Sequence, residues 1–171
     1  MANQLSTAGS HDQNRSARFT LWRYKDVGLL SWSENLVEIG SGSPEKIFEY
    51  ISLLGGSPFV LPKGEDICVF REEVVPMWED PINAKGGRWR VQLTDEKLVN
   101  EMFFRSLMAF FERALTDEHW TQVTGLYFQR KGKGGILALW MSDVRVRDAT
   151  YRLGDIWKNI LSTKNVVLDY F

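Results

Sequence analysis

The stretch from Asp95 to Leu115 constrains this chain most, because it reads as a long helix that is apolar on one side only. At about 100° per residue, Phe103, Leu107, Phe110, Phe111 and Ala114 fall on one stripe, and Phe104, Met108 and Leu115 widen one flank of it. Such a helix must lie on a broad apolar surface, and the segments around it supply one. Arg18 to Lys25 (RFTLWRYK), Asn35 to Ile39, Ile67 to Arg71, Arg88 to Leu93, Gly125 to Gln129, Ile136 to Met141 and Asn165 to Asp169 read as short strands. A second helix is announced by Ser43 as N-cap and Pro44 in the first turn, runs to about Leu54, and is stopped by Gly55 and Gly56. A third spans Val144 to about Leu161. The pattern predicts an α+β domain, an antiparallel sheet with three helices on one face.

Charge and composition then narrow what the domain can do. The net charge is −1 and the pI about 6.1, so the chain lacks the basic excess of proteins that grip long nucleic acid by its backbone. A nucleic-acid ligand would be held through few phosphates. Cys68 is the one cysteine and His11 and His119 the two histidines, which excludes a cysteine metal cluster and leaves little for a zinc site. His119 has no acid or nucleophile at a suggestive spacing, Cys68 sits in an apolar strand, and Glu72 and Glu73 read as a solvated edge. The expectation is a non-enzyme without metal or cofactor. No run of eighteen apolar residues and no secretory core point to the cytoplasm and away from the membrane. Residues 1–17 read as a polar, disordered tail, and 18–171 as one domain.

The candidate site comes from tryptophans in unusual places. Seven occur in 171 residues, and an aromatic core accounts for most. Trp78, however, lies in a segment broken by Pro76, Pro81, Gly86 and Gly87, beside Glu79 and Asp80, and Trp32 lies between Ser31 and Ser33. On chemistry alone core packing and ligand binding both remain open. If they bind, two loop indoles make a slot for a flat ligand, and an adjacent carboxylate suits one with two neighbouring donors. A guanine methylated at N7 is planar, cationic and presents N1–H beside N2–H₂. It would gain a cation–π term in the stack and a charge-assisted pair at its edge. The run RKGKGG puts Arg130, Lys131 and Lys133 around a hairpin turn, read either as a solvated turn or as a clamp for a phosphate chain. Arg88 and Arg90 alternate with Trp89 and share a sheet face, with Arg88 nearer the Trp78 loop.

The segment PMWEDPINAKGGRW, Pro76 to Trp89, resembles the most diagnostic segment of the eukaryotic translation initiation factor 4E family, the mRNA cap-binding proteins. FTLW (19–22), SWSENL (31–36) and GILALW (135–140) are similar to other family segments in the same order, and the resemblance covers about Arg18 to Phe171. It implies a strongly curved antiparallel sheet of about eight strands, backed by three helices on its convex face. It implies that Trp32 and Trp78 stack the cap base, that Glu79 binds its N1 and N2 edge, and that the Trp78 backbone N–H meets O6. Trp140 would approach the N7-methyl group, and Arg88, Lys131 and Lys133, with Arg130 beside them, would face the triphosphate. Trp22, Trp89 and Trp157 fit structural positions.

The sequence departs from the family in ways that mark a divergent paralogue. Ile136 stands where a third basic residue often follows the hairpin turn, the usual C-terminal loop beyond Phe171 is missing, and the tail lacks the family's His-Pro contact. On the dorsal surface the family receives a YxxxxLΦ helix from a scaffold of the initiation factor 4G type or from a 4E-binding repressor. Here Phe48, Phe104 and Met108 are the candidates for that contact, with ordinary helix–sheet packing the other reading of the same flank. The function implied is cap binding in translation initiation or its regulation. The alternative is a repressor or interaction adaptor with weak cap affinity.

Overall fold

The computed structural model describes residues 16–28 and 30–162, together with the backbone of residues 169–170. Most of the expected tail, and most of the expected strand from Asn165, lie outside the described residues. The elements run β1 (Phe19–Lys25), α1 (Trp32–Asn35), β2 (Leu36–Gly42), α2 (Pro44–Leu53), β3 (Glu65–Arg71), β4 (Gly87–Leu93), α3 (Glu96–Arg113), β5 (Val123–Lys131), β6 (Gly134–Met141), α4 (Arg147–Leu161) and β7 (Asp169–Tyr170). The strands form one curved sheet in the order β2-β1-β3-β5-β6-β4-β7, and every pairing between them is antiparallel. Among the described residues this makes seven strands rather than about eight. The three expected long helices are joined by the single turn α1.

Alternation along the strands gives the sheet two different faces. Ile67 and Val69 of β3, Leu126 and Phe128 of β5, Leu137 and Leu139 of β6, and Trp89, Val91 and Leu93 of β4 enter the main core, where they meet the helices. Cys68 and Phe70, Tyr127, and Ala138 and Trp140 enter a second cluster on the opposite face, joined by Val74 and flanked by Trp22. That opposite face is called the slot face below. The near-continuous apolar runs of the central strands follow from burial on both sides.

The helices form as their residues dictate. The Asp95 carboxylate accepts a hydrogen bond from the Leu98 N–H at 3.0 Å and starts α3. Val99, Met102, Phe103, Ser106, Leu107 and Phe110 are buried along one side of that helix, and Phe111 packs against the same core partly exposed. The buried Trp157 of α4 donates its indole N–H to the Ser106 hydroxyl at 2.8 Å and fastens the two helices together. Trp89 donates likewise to the Thr150 carbonyl at 3.0 Å, tying β4 to α4. Helix α4 begins at Arg147 rather than Val144; ahead of it Asp143 still pairs with Lys85 in an isolated bridge, and the Val144 N–H donates to the Lys85 carbonyl at 3.3 Å. The β5–β6 hairpin is tighter than expected. Lys131 pairs with Gly134, so only Gly132 and Lys133 turn the chain, with Gly132 at φ 57°.

Candidate functional site

Two loops rise over the slot face and meet. The first carries Trp32 at the start of α1. The Ser31 backbone N–H and hydroxyl both donate to the Glu34 carboxylate, at 2.8 and 2.7 Å, which shapes this single turn. The second runs from Glu72 to Gly86 and is tied down by its own polar side chains. Asp80 accepts from the Val75 and Ile82 N–H groups at 2.8 Å each, and the buried Asn83 side chain donates to the Val75 and Met77 carbonyls at 3.1 Å each. Gly86 lies so close to β6 that a Cβ there would sit 1.9 Å from the Met141 carbonyl oxygen. The two loops touch where the Trp32 indole N–H donates to the Pro76 carbonyl at 3.4 Å.

The loop tryptophans are 39% (Trp32) and 41% (Trp78) exposed, an unusual state for so large an apolar side chain. Each rests on an aromatic ring of the sheet. Trp32 stacks on Tyr24 with ring centroids 4.0 Å apart and planes 22° apart. Trp78 stacks on Trp140 at 3.9 Å and 19°, which leaves Trp140 only 3% exposed. The Arg88 guanidinium lies 5.6 Å from the Trp78 ring and 5.7 Å from that of Trp140, and burial lowers its pKa. Glu79 is exposed beside Trp78. Lys131 and Lys133 are exposed where β5 turns into β6. Arg88 pairs with Trp140 and Arg90 with Ala138 across β4 and β6, which puts both arginines on the slot face as their alternation predicted.

Arg130 is a correction. It was expected with Lys131 and Lys133, but strand β5 continues through it and alternation turns it to the helix side. There its guanidinium donates to the Leu61 carbonyl and lies 4.5 Å from the Phe59 ring, which packs on the main core.

Three residues of the slot face escaped the sequence reading. Tyr24 carries no sequence signal beyond its place in a strand. Tyr127, 5% exposed, has its ring 6.3 Å from Trp32 and 6.2 Å from Trp140, tilted 28° and 26° from them. Its hydroxyl lies 2.7 Å from the carboxylate of Asp66, which is 2% exposed. Burial pushes the Asp66 carboxyl up to about 6, while the Tyr127 hydroxyl, the Arg130 backbone N–H and the Lys131 charge pull the other way. The signal available was Asp66 at the head of the apolar run ICVF, on the same strand face as Cys68 and Phe70.

On the helix side Phe104 meets Phe48 and, in a separate groove, Met108. Phe48 lies between Phe104 at 6.4 Å and Phe111 at 5.5 Å, half-buried, and Met108 is exposed. Phe104, Met108, Ala109 and Ile160 line a shallow groove rimmed by Glu101, Arg105, Glu112 and Arg113. Among the described residues no group of three or more His, Cys, Asp and Glu could hold a metal ion, and no helix is long and apolar enough to cross a membrane.

A sequence profile described as Eukaryotic initiation factor 4E matches residues 15–171. The chain belongs to that family. Among factor 4E relatives, that of Saccharomyces cerevisiae is 31% identical over 160 residues, covering 91% of this chain and 74% of its own. The Xenopus laevis factor 4E is 28% identical, covering 90% and 73%. Of solved structures, Ascaris suum eIF4E-3 in complex with an m2,2,7G cap superposes with a TM-score of 0.80 at 26% identity, covering 90% of this chain and 87% of that one. Caenorhabditis elegans eIF4E-3 in complex with the 4E-binding protein Mextli and a cap analog gives 0.78 at 29%, covering 91% and 89%. The factor 4E fold is thus the fold expected from Pro76–Trp89, and the identities fit a divergent paralogue. Factor 4E proteins belong to translation initiation and are not enzymes.

Proposed function

We propose that residues 18–171 form a cap-binding domain that holds the 7-methylguanosine 5′ cap of mRNA against the slot face, in translation initiation or its regulation in the cytoplasm. The observation that carries this reading is the pair of half-exposed tryptophans, Trp32 and Trp78, brought to one face by two loops that meet at Pro76, with Glu79 at their side. In this reading the cap base enters between the two indoles, and Trp78 leaves Trp140 to stack on it. Stacking on an indole is worth about 1–3 kcal/mol per base. Glu79 accepts from N1–H and N2–H₂, the Trp78 N–H meets O6, and Trp140, once uncovered, borders the N7-methyl group. Arg88, Lys131 and Lys133 face the triphosphate. Arg130, spent on Leu61 and Phe59, is left out.

The related structures support the reading, since the Ascaris eIF4E-3 structures hold an m2,2,7G cap and an m7G cap. The Caenorhabditis eIF4E-3 structure with Mextli supports a protein partner as well. For that partner, a scaffold of the factor 4G type or a 4E-binding repressor, the groove at Phe104 and Met108, with Phe48 packed behind Phe104, offers a seat to an amphipathic helix. A second reading, an adaptor with weak cap affinity, is favoured by the self-stacking of both tryptophans and by Ile136 beside the turn. Retention on immobilised 7-methyl-GTP separates the two. The cap reading expects elution by free 7-methyl-GTP but not by GTP, and loss of retention in Trp78→Ala. Passage of the wild-type chain through the resin would favour the adaptor.

A further inference from the structure

The floor of the slot holds a carboxylate that the cap reading leaves without a task. Asp66 lies on β3, 2% exposed, with its oxygen 2.7 Å from the Tyr127 hydroxyl. The Tyr127 ring is the one ring among the described residues in contact with both Trp32 and Trp140, so it bridges the two sides of the slot. Tyr24 is the register partner of Asp66 on β1, Cys68 follows on β3, and Tyr127 and Lys131 approach from β5. Arg88 and Arg90 on β4 lie further along the same face, Arg88 over Trp78 and Trp140. Cys68 is buried, with its thiol pushed well up, and carries no charge. The carboxylate therefore sits beside aromatic rings, with the Lys131 charge near it, in surroundings that strengthen Coulomb forces relative to water.

We propose that Asp66, held by the Tyr127 hydroxyl, is a buried counter-charge for a positively charged base in the slot, and that it adds to the preference for methylated over unmethylated guanine. This rests on the cap reading above. A base cationic at its methylated ring is attracted to the charge beneath it, whereas neutral guanine gains almost nothing. By linkage the cation also favours ionised Asp66. The folded carboxyl titrates at about 6, so the preference grows as the pH rises through that value.

The test is the ratio of 7-methyl-GTP to GTP affinity of the full chain, measured between about pH 5 and pH 7. Both nucleotides carry the same triphosphate, so its titration cancels in the ratio. The wild-type ratio should climb several-fold through about pH 6. Asp66→Asn, which keeps an acceptor for the Tyr127 hydroxyl, should lower the ratio at pH 7 by about fivefold and flatten the profile, with GTP affinity within about twofold. Tyr127→Phe removes a bond that favours the ionised form, so its rise should move to higher pH. Asp66→Asn with the wild-type ratio and profile would overturn the proposal. Should that variant fold poorly, the wild-type profile decides: a preference for 7-methyl-GTP that is flat through pH 6 also overturns it. A wild-type chain with no preference at any pH sinks the cap reading itself, a distinguishable result.

Discussion

Trp78 and Trp32 each lie flat on a ring of the sheet, and each is still about two-fifths exposed (41% and 39%). A cap base between them would replace the Trp78–Trp140 contact with a base–indole stack, so the gain is the difference between two stacks and depends on the base being cationic. The edge contact carries the rest. Glu79→Ala is expected to weaken 7-methyl-GTP binding by ~1.5–3 kcal/mol, roughly 10- to 100-fold, measured by isothermal titration. An unchanged affinity would remove Glu79 from the site. Asp66 gives a residue-scale prediction of the opposite kind. Its folded pKa of about 6 lies above the ordinary 3.8, so as pH rises between those values the unfolded chain releases its proton first and stability falls. Above about pH 6 the cost is constant, on the order of 2–3 kcal/mol. Asp66→Asn should therefore raise the melting temperature at neutral pH, with the gain shrinking towards about pH 4, as scanning calorimetry would show. Trp32, Trp78 and Glu79 were legible because residues of those types in a broken, polar segment are odd. Tyr127 and Asp66 were not, because their contact exists only through the β3–β5 register, which a strand pattern does not contain.

Among the elements, the segment Glu72–Gly86 is irregular in conformation yet closely hydrogen-bonded. Its prolines and glycines announced the irregularity; the bonds of Asp80 and Asn83 to backbone groups give it one shape. Asn83→Ala removes the amide bonds to the Val75 and Met77 carbonyls, leaving them only the backbone N–H groups of Met77 at 2.7 Å and Asp80 at 3.3 Å, and should cost ~1–3 kcal/mol in urea unfolding. It should also weaken cap-analogue binding, because Trp78 and Pro76 lose their support. Full affinity in that variant would show that the loop is set by other contacts. Helix α3 serves both sides of its surroundings. Phe103, Leu107 and Phe110 face the core as their spacing predicted, while Met108 stands outside it. Met108→Asp is expected to weaken a helical YxxxxLΦ peptide by about tenfold in fluorescence anisotropy and to leave 7-methyl-GTP binding unchanged. Phe48 is a poorer probe, since its packing on Phe104 and Phe111 makes it part of the fold as well. Arg130 misled the sequence reading because the strand runs two residues further than RKGKGG suggests, and strand alternation decides where its side chain points.

For the molecule as a whole, one sheet separates two tasks. The helix side holds the main core and presents the groove at Phe104 and Met108; the slot side holds a smaller aromatic cluster and the loop tryptophans. Stability is concentrated on the helix side, where Trp157 and Ser106 lock α4 to α3. Trp157→Ala should cost ~3–5 kcal/mol, a large share of the margin of a domain this size, and lower the chemical-denaturation midpoint accordingly. The α+β class, the three long helices and their order were readable from periodicity and caps alone. Strand limits and the capture of Val144 by Lys85 were not, because they depend on pairings between distant segments. Quenching of tryptophan fluorescence on titration with 7-methyl-GTP and with GTP tests the slot most directly. Saturable quenching by 7-methyl-GTP, at least tenfold tighter than by GTP and lost in Trp32→Ala and Trp78→Ala, is the result predicted, a gap of ~1.4 kcal/mol or more. Equal, weak responses to the two nucleotides would contradict it.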